Sequence, residues 1–458
     1  MKAVIQAGGK GTRISSITGD TIPKPMLEVS GYPIIYHQLM NLKKSGIRNI
    51  TIIIGHLGNI IKDYLKDGKE LGLEISYIEE NPEKPLGTAG ALYYLKERIQ
   101  DDFIFLLADV FIDIDFNKMI DYHYDKKAEV TLFTHPNSHP FDSDLVVCDS
   151  NNKVISFDSK NNDRSAYNYS NLVNAGIMIF SKNTLNYIKE PIKYNYEKDI
   201  VIPLIREGKV YSYKSTEYAK DMGTPERYNR VQNDYLLNIP NKRNLKNKQK
   251  CIFLDRDGTI NKYVGFLRKP CELELEDCAS EAIKIINNSD YLAIVITNQP
   301  VIARGEVTVE QLNDIHKKME TLLGEKGAYI DDLLYCPHHP DKGFEGEVKE
   351  LKIECECRKP NIGLILEAVK KYNIDLEKSF MIGDSTLDIE CAKRAGITGI
   401  LVKTGVSGSD NKFIVEPYKI EENLLDAVNE IIEKENEYGF QKSNKRILRK
   451  GNSSNKQI

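Results

Sequence analysis

The chain has 458 residues, 41% of them hydrophobic and 28% charged, with a formal net charge of −4. At roughly 150 residues per domain this length predicts two to four domains, and the composition excludes a largely disordered chain. No run of about 18 apolar residues occurs, so no membrane span is expected. The N-terminal apolar run is too short for a signal peptide, which predicts a cytoplasmic protein. Eight cysteines are too sparse for a disulfide scaffold. Segments 238–250 and 439–458 carry five and six basic residues and no acid, so the remainder is more acidic than the total suggests. That balance argues against a nucleic-acid surface.

Strands and helices alternate along the first half. Residues 3–5, 49–54 and 102–108 read as strands and 33–44 as a helix, which implies a mostly parallel α/β sheet. A helix over 225–237 closes the unit. The polar stretch 238–249 reads as a basic linker and 437–458 as a disordered tail. The alternation restarts at Cys251, with strands at 292–297, 333–335, 379–382 and 399–402. Helical patterns fill the gaps, and 421–433 reads as a closing helix. The expected domains are therefore 1–237 and 250–436, both α/β.

The first strand runs into Gln6-Ala7-Gly8-Gly9-Lys10-Gly11-Thr12-Arg13. Glycines here let backbone amides approach and cradle phosphates, and the two cations add charged donors. Ten residues on, Pro23-Lys24-Pro25-Met26 fixes one ammonium between two prolines. Together these segments resemble the sugar-phosphate nucleotidyltransferases over about residues 1–237. The resemblance implies a Rossmann-like, GT-A-like mixed sheet. It makes Ala7, Gly8, Gly9, Gly11, Thr12, Gly87 and Thr88 nucleotide-binding, and Arg13 and Lys24 catalytic. Asn174, Gly176, Lys160 and Glu197 would hold the sugar phosphate, and Asp109 and Asp221 would hold Mg²⁺. The reaction joins two polyanions with attack in line at the α-phosphorus, so positioning and charge neutralisation dominate.

In the second half Asp255 and Asp257, spaced i and i+2, end a strand. Thr297-Asn298 ends the next, Lys359 precedes a helix, and Gly383-Asp384 ends another, with Asp388 four residues on. Carboxylates and donors at successive strand ends face one crevice. The set resembles the haloacid dehalogenase-type phosphatases over about 250–435 and implies a Rossmannoid domain. By that resemblance Asp255 is the nucleophile and Asp257 the general acid–base. Thr297, Asn298, Arg358 and Lys359 bind phosphate, Asp255, Asp257 and Asp384 hold Mg²⁺, and Asp388 orients the site.

Cys336, His338, Cys355 and Cys357 offer three thiols and one imidazole, the closed donor set that structural Zn²⁺ prefers. Cys357 immediately precedes Arg358-Lys359, so a zinc loop would stiffen the segment carrying the phosphate lysine. His339 reads as a surface residue, and Cys148, Cys251, Cys271, Cys278 and Cys391 as ordinary buried thiols. This zinc frame resembles the heptose 1,7-bisphosphate 7-phosphatases and the related histidinol phosphatases.

A phosphatase that makes a sugar 1-phosphate, fused to a transferase that consumes one, implies a bifunctional enzyme with small-molecule substrates. It would convert D-glycero-α-D-manno-heptose 1,7-bisphosphate and GTP into GDP-heptose for lipopolysaccharide or S-layer glycans, using Mg²⁺ and Zn²⁺. No nucleic-acid or membrane partner is expected, and oligomeric state stays open. Two alternatives remain. One is a UTP- or dTTP-dependent transferase for another hexose 1-phosphate, fused to a histidinol-phosphatase-like enzyme. The other is a non-catalytic nucleotide-sugar sensor.

Overall fold

The structure is a computed structural model that describes residues 1–9 and 12–434. The readings for Gly11, for the Thr12 side chain and for the 437–458 tail lie outside the described residues. The chain divides into two compact units, Met1–Asp163 with Asn171–Lys248, and Arg164–Ser170 with the residues from Gln249 onward.

The first unit is built on a nine-stranded mixed sheet. Lys2–Ala7 lies between Asn49–Ile54 and Phe103–Leu107, parallel to both. Ile50–Ile54 is buried on both faces, and apart from Thr51 it is apolar rather than alternating. Val173–Phe180 joins Phe103–Leu107 antiparallel, which makes the sheet mixed. Helix Ile34–Lys44 buries Ile35, Leu39 and Leu42 at helical spacing. Its buried Gln38 donates to the carbonyls of Leu107 and Val110 at 2.9 and 2.7 Å, and so pins the chain on either side of Asp109. A short antiparallel ladder pairs Val110–Asp113 with Tyr218–Asp221 and sets Asp221 opposite Val110, one residue from Asp109.

The stretch 238–249 is not a solvated linker. Residues Ile239–Arg243 form a helix, and Pro240, Arg243, Asn244 and Leu245 are buried. Asn244 Nδ2 donates to Asp113 at 2.7 Å, and the Leu245 N–H donates to the buried Glu217 at 3.0 Å. Asn244 and the Leu245 backbone thus meet specific partners, while Asn241, Lys242, Lys246, Asn247 and Lys248 stay exposed.

The second unit carries a six-stranded sheet in the order Asp332–Cys336, Tyr291–Asn298, Lys250–Leu254, Phe380–Gly383, Thr398–Val402, Lys419–Glu421. Every neighbouring pair is parallel. Lys419–Glu421, an edge strand absent from the sequence pattern, precedes a helix over 424–434. Among the described residues no helix is long and apolar enough to cross a membrane.

Candidate active sites

In the first unit a cavity of about 470 Å³ opens beside the glycine turn. Ala7, Gly8, Gly9 and Arg13 line it, as do Lys24, Gly87, Thr88 and Asp109. A Cβ on Gly8 would stand 2.3 Å from Glu80 Oε2, so a larger residue there would displace the Glu80 carboxylate. Gly87, with φ of +75°, leaves no room for a Cβ beside the Tyr194 carbonyl, 2.3 Å away. The buried Lys24 ammonium meets Asp109 Oδ2 at 2.6 Å. Asp221 pairs with Arg227 Nη1 at 2.7 Å and accepts from the Gly223 N–H at 2.9 Å. Burial opposes its ionisation, but Arg227 and that N–H outweigh burial and hold Asp221 below the usual carboxylate range.

The sugar-side residues are tied to the cavity through Tyr196. Its N–H donates to Thr88 Oγ1 at 3.0 Å, and its hydroxyl accepts from Asn174 Nδ2 at 3.4 Å. Asn174 Oδ1 in turn accepts from the Gly176 N–H at 3.1 Å. Glu197 follows Tyr196. Burial first, then Asp144, pushes its carboxyl upward. Lys160 is half-exposed, with its N–H on Asp144 Oδ1 at 2.8 Å and its ammonium 4.0 Å from Asp142.

Two residues of this site escaped the sequence reading. Arg227 bridges Asp221 and, at 3.5 Å, Asp142. Glu80 lines the cavity, accepts from the Leu86 N–H at 3.1 Å, and has its carboxyl pushed up by burial. Both lie beside glycine- and proline-marked segments, Arg227 two residues after Pro225 and Glu80 two before Pro82, but only the folded contacts show which side chains these segments bring to the cavity.

In the second unit Asp255, Thr297 and Asp384 gather at the carboxyl ends of adjacent parallel strands, where side chains of one crevice converge. Lys359, 4% exposed, reaches Asp255 Oδ1 at 2.7 Å and Asp388 Oδ1 at 2.6 Å. Ser385 caps Asp388 through its N–H and hydroxyl. Asp255, Asp384 and Asp388 bring carboxylate oxygens within 4.8 Å of one another, a group that can hold a divalent cation. The side-chain oxygens of Asp257 lie outside that group, and Arg256, Asn261 and Gln299 engage both of them. The Asn298 amide donates to the Lys359 carbonyl and accepts from the Lys359 N–H, at 3.1 and 2.9 Å, and so helps to fix the backbone of Lys359.

Cys336, His338, Cys355 and Cys357 present four ligand atoms mutually within 4.8 Å. Their contacts run from 3.2 Å (His338 Nδ1 to Cys357 Sγ) to 3.6 Å (Cys336 Sγ to His338 Nδ1). A tetrahedron around Zn²⁺ has edges of about 3.5–3.8 Å, so the donors fit with little adjustment. Arg358 Nη1 donates to the His338 carbonyl at 3.1 Å, binding the loop to the segment that carries Lys359. His339 proves buried, packed edge-on to Phe344. Cys271 is exposed, and Cys148 and Cys278 are half-buried rather than core thiols.

Burial, with added repulsion from Asp388, pushes the Asp255 carboxyl up to about 6 against the pull of Lys359. Burial and then Asp255 push Asp384 up to about 8. Both exceed the unfolded value, so the metal-free folded state binds more protons than the unfolded state between pH ~4 and ~8. Metal-free protein should therefore lose stability as pH rises through that window. Lys359, pushed further above its ordinary range, stays charged throughout it. Mg²⁺ should raise the melting temperature more at pH 8 than at pH 5. Calorimetry showing a metal-free protein equally stable at both pH values would contradict this electrostatic picture.

The nucleotidyl transferase family model matches residues 2–238, and the HAD-hydrolase-like model matches 356–427. A D-glycero-alpha-D-manno-heptose-1,7-bisphosphate 7-phosphatase of Photorhabdus laumondii is 44% identical over 160 residues, 35% of this chain and 85% of that protein. A D-glycero-beta-D-manno-heptose-1,7-bisphosphate 7-phosphatase of Yersinia pestis is 39% identical over 155 residues, 34% of this chain and 80% of that protein. Among solved structures, HddC from Yersinia pseudotuberculosis is 27% identical, with a TM-score of 0.44, covering 51% of this chain and 99% of its own. The chain belongs to the nucleotidyl transferase family through its first half and to the heptose-1,7-bisphosphate 7-phosphatase family through its second, and is a bifunctional transferase and phosphatase.

Proposed function

We propose that the second unit removes the 7-phosphate of D-glycero-α-D-manno-heptose 1,7-bisphosphate and that the first transfers a guanylyl group from GTP to the resulting 1-phosphate. The observation that carries the reading is the union, in one chain, of a heptose-bisphosphatase relative with a transferase cavity containing a buried carboxylate, Glu80. The products would be GDP-heptose and pyrophosphate, the nucleotide sugar serving surface glycans.

In the phosphatase, Asp255 attacks phosphorus while Asp257 protonates the departing sugar oxygen. Asp257 then removes a proton from the water that hydrolyses the aspartyl-phosphate. Thr297 and Lys359 hold the phosphoryl oxygens, and Lys359 offsets repulsion between two anions. Asp255 and Asp384 would hold Mg²⁺, which supplies charge neutralisation at phosphorus. Zn²⁺ on the Cys336 set would be structural. In the transferase, Arg13 and Lys24 neutralise the triphosphate. Lys160, Asn174, Gly176 and Glu197 orient the sugar phosphate, and Asp109 with Asp221 would hold a second Mg²⁺.

Glu80 favours guanine on chemical grounds. Guanine presents N1–H and N2–H₂ donors side by side, whereas uracil and thymine present one N–H flanked by carbonyls. A buried carboxylate rewards the former and repels the carbonyls of the latter. Glu80→Gln should therefore lower kcat/KM for GTP by roughly 10²-fold, since hydrogen bonds to charged groups are the strong ones. It should narrow or invert the preference over UTP and dTTP. A wild-type enzyme that favours UTP or dTTP would overturn the guanylyl reading.

A further inference from the structure

Asp257 is held by a buried network that the mechanism above leaves unused. Its Oδ1 accepts from Arg256 Nε at 3.1 Å, Arg256 Nη2 at 2.9 Å and Asn261 Nδ2 at 3.1 Å. Its Oδ2 accepts from Arg256 Nη2 at 2.7 Å and Gln299 Nε2 at 3.0 Å. Arg256 is fully buried, and its Nη1 lies 3.1 Å from Nε2 of the buried His316. Gln299, 3% exposed, is the junction of the network. Its Oε1 accepts from Arg256 Nη2 at 3.0 Å, and its Nε2 also donates to Thr297 Oγ1 at 2.9 Å. Its own N–H is fixed on the Cys336 carbonyl at 2.8 Å.

A carboxylate ringed by donors, with a buried guanidinium across both oxygens, is held in one orientation. That fixed orientation is needed in the second half-reaction. There the water oxygen bonds to phosphorus, the acyl-phosphate P–O bond breaks back to the Asp255 carboxylate, and the water proton passes to Asp257. Gln299 also ties this base to Thr297, so base and phosphoryl group keep one register. Resting on the assignment of Asp255 and Asp257 given above, we propose that Gln299 is a positioning residue that keeps Asp257 registered to the phosphoryl site for the water-attack step.

Gln299→Met keeps the length of the side chain and removes the amide. Gln299→Glu keeps the shape and places a second anion beside Asp257. Both should lower kcat, by roughly 10–10²-fold as for lost general-base help, with KM within about threefold. Both should also make the aspartyl-phosphate accumulate, seen as a burst of dephosphorylated sugar and as phosphoenzyme in acid-quenched samples. If both variants fold with unchanged melting temperature but lose burst and turnover together, Gln299 has only a structural role and the proposal fails. Asp255→Asn separates the two claims. Phosphoenzyme persisting in that variant would refute the nucleophile assignment itself.

Discussion

Asp255→Asn should cut phosphate release by roughly 10⁴-fold or more, the scale seen when a covalent nucleophile is removed. The change deletes one negative charge from a crowd of three carboxylates, two of them buried, and keeps the side chain's shape. Burial already pushes the Asp255 carboxyl up to about 6, so a neutral amide fits the site without cost, and Lys359 retains Asp388 at 2.6 Å. The variant should therefore melt no lower than the parent at pH 8 in the absence of Mg²⁺. Guanylyl transfer should stay within about twofold, as for sites without shared partners. Arg13, Lys24, Asp109 and Asp221 all belong to the first compact unit and Asp255 to the second. Comparable loss of both activities in a folded variant would refute independent sites.

Stripping zinc should be the second large effect. Burial raises the Cys336 thiol strongly and the Cys357 thiol as well, so without a cation these two sulfurs favour the neutral form. A bound Zn²⁺ would favour thiolates at the three cysteines and close the loop. Dialysed protein should hold about one zinc per chain. Its removal, or Cys355→Ser, should lower phosphatase activity by at least roughly tenfold and lower the melting temperature of the second unit. The path of the damage is specific. Asn361 Nδ2 donates to the Cys355 carbonyl at 2.8 Å, and Arg358 to that of His338, so the ligands fix both sides of Lys359. A zinc-free protein with full phosphatase stability would contradict the structural role.

Much of both sites was legible because the chemistry is concentrated in contiguous motifs. Gly8 and Gly9, the Pro-bracketed Lys24, the Asp255–Asp257 pair and the Cys336–Cys357 set are each marked by composition over a few residues. Strand ends then carry them to one crevice, as the parallel sheet of the second unit does for Asp255, Thr297 and Asp384. What escaped depends on contacts between distant residues. Gln299 looks like any polar residue after a strand until Arg256 and Thr297 are placed around it. Asn298 sits in a phosphate motif, yet its amide is committed to the backbone of Lys359, 61 residues on. The basic composition of 238–249 suggested solvent, because nothing local shows that Glu217 and Asp113 wait with acceptors for Leu245 and Asn244. Composition reports what a segment could leave in water; it is silent on partners that tertiary structure supplies.

The most direct test of the bifunctional reading follows one phosphorus atom at a time. Phosphorus NMR of the full chain with D-glycero-α-D-manno-heptose 1,7-bisphosphate and Mg²⁺, without nucleotide, should show the 7-phosphate released and the anomeric 1-phosphate accumulating. Addition of GTP should then consume the 1-phosphate and produce pyrophosphate and a diphosphate diester. Departure of the anomeric phosphate first, or a 1-phosphate that persists in the presence of GTP, would contradict the account.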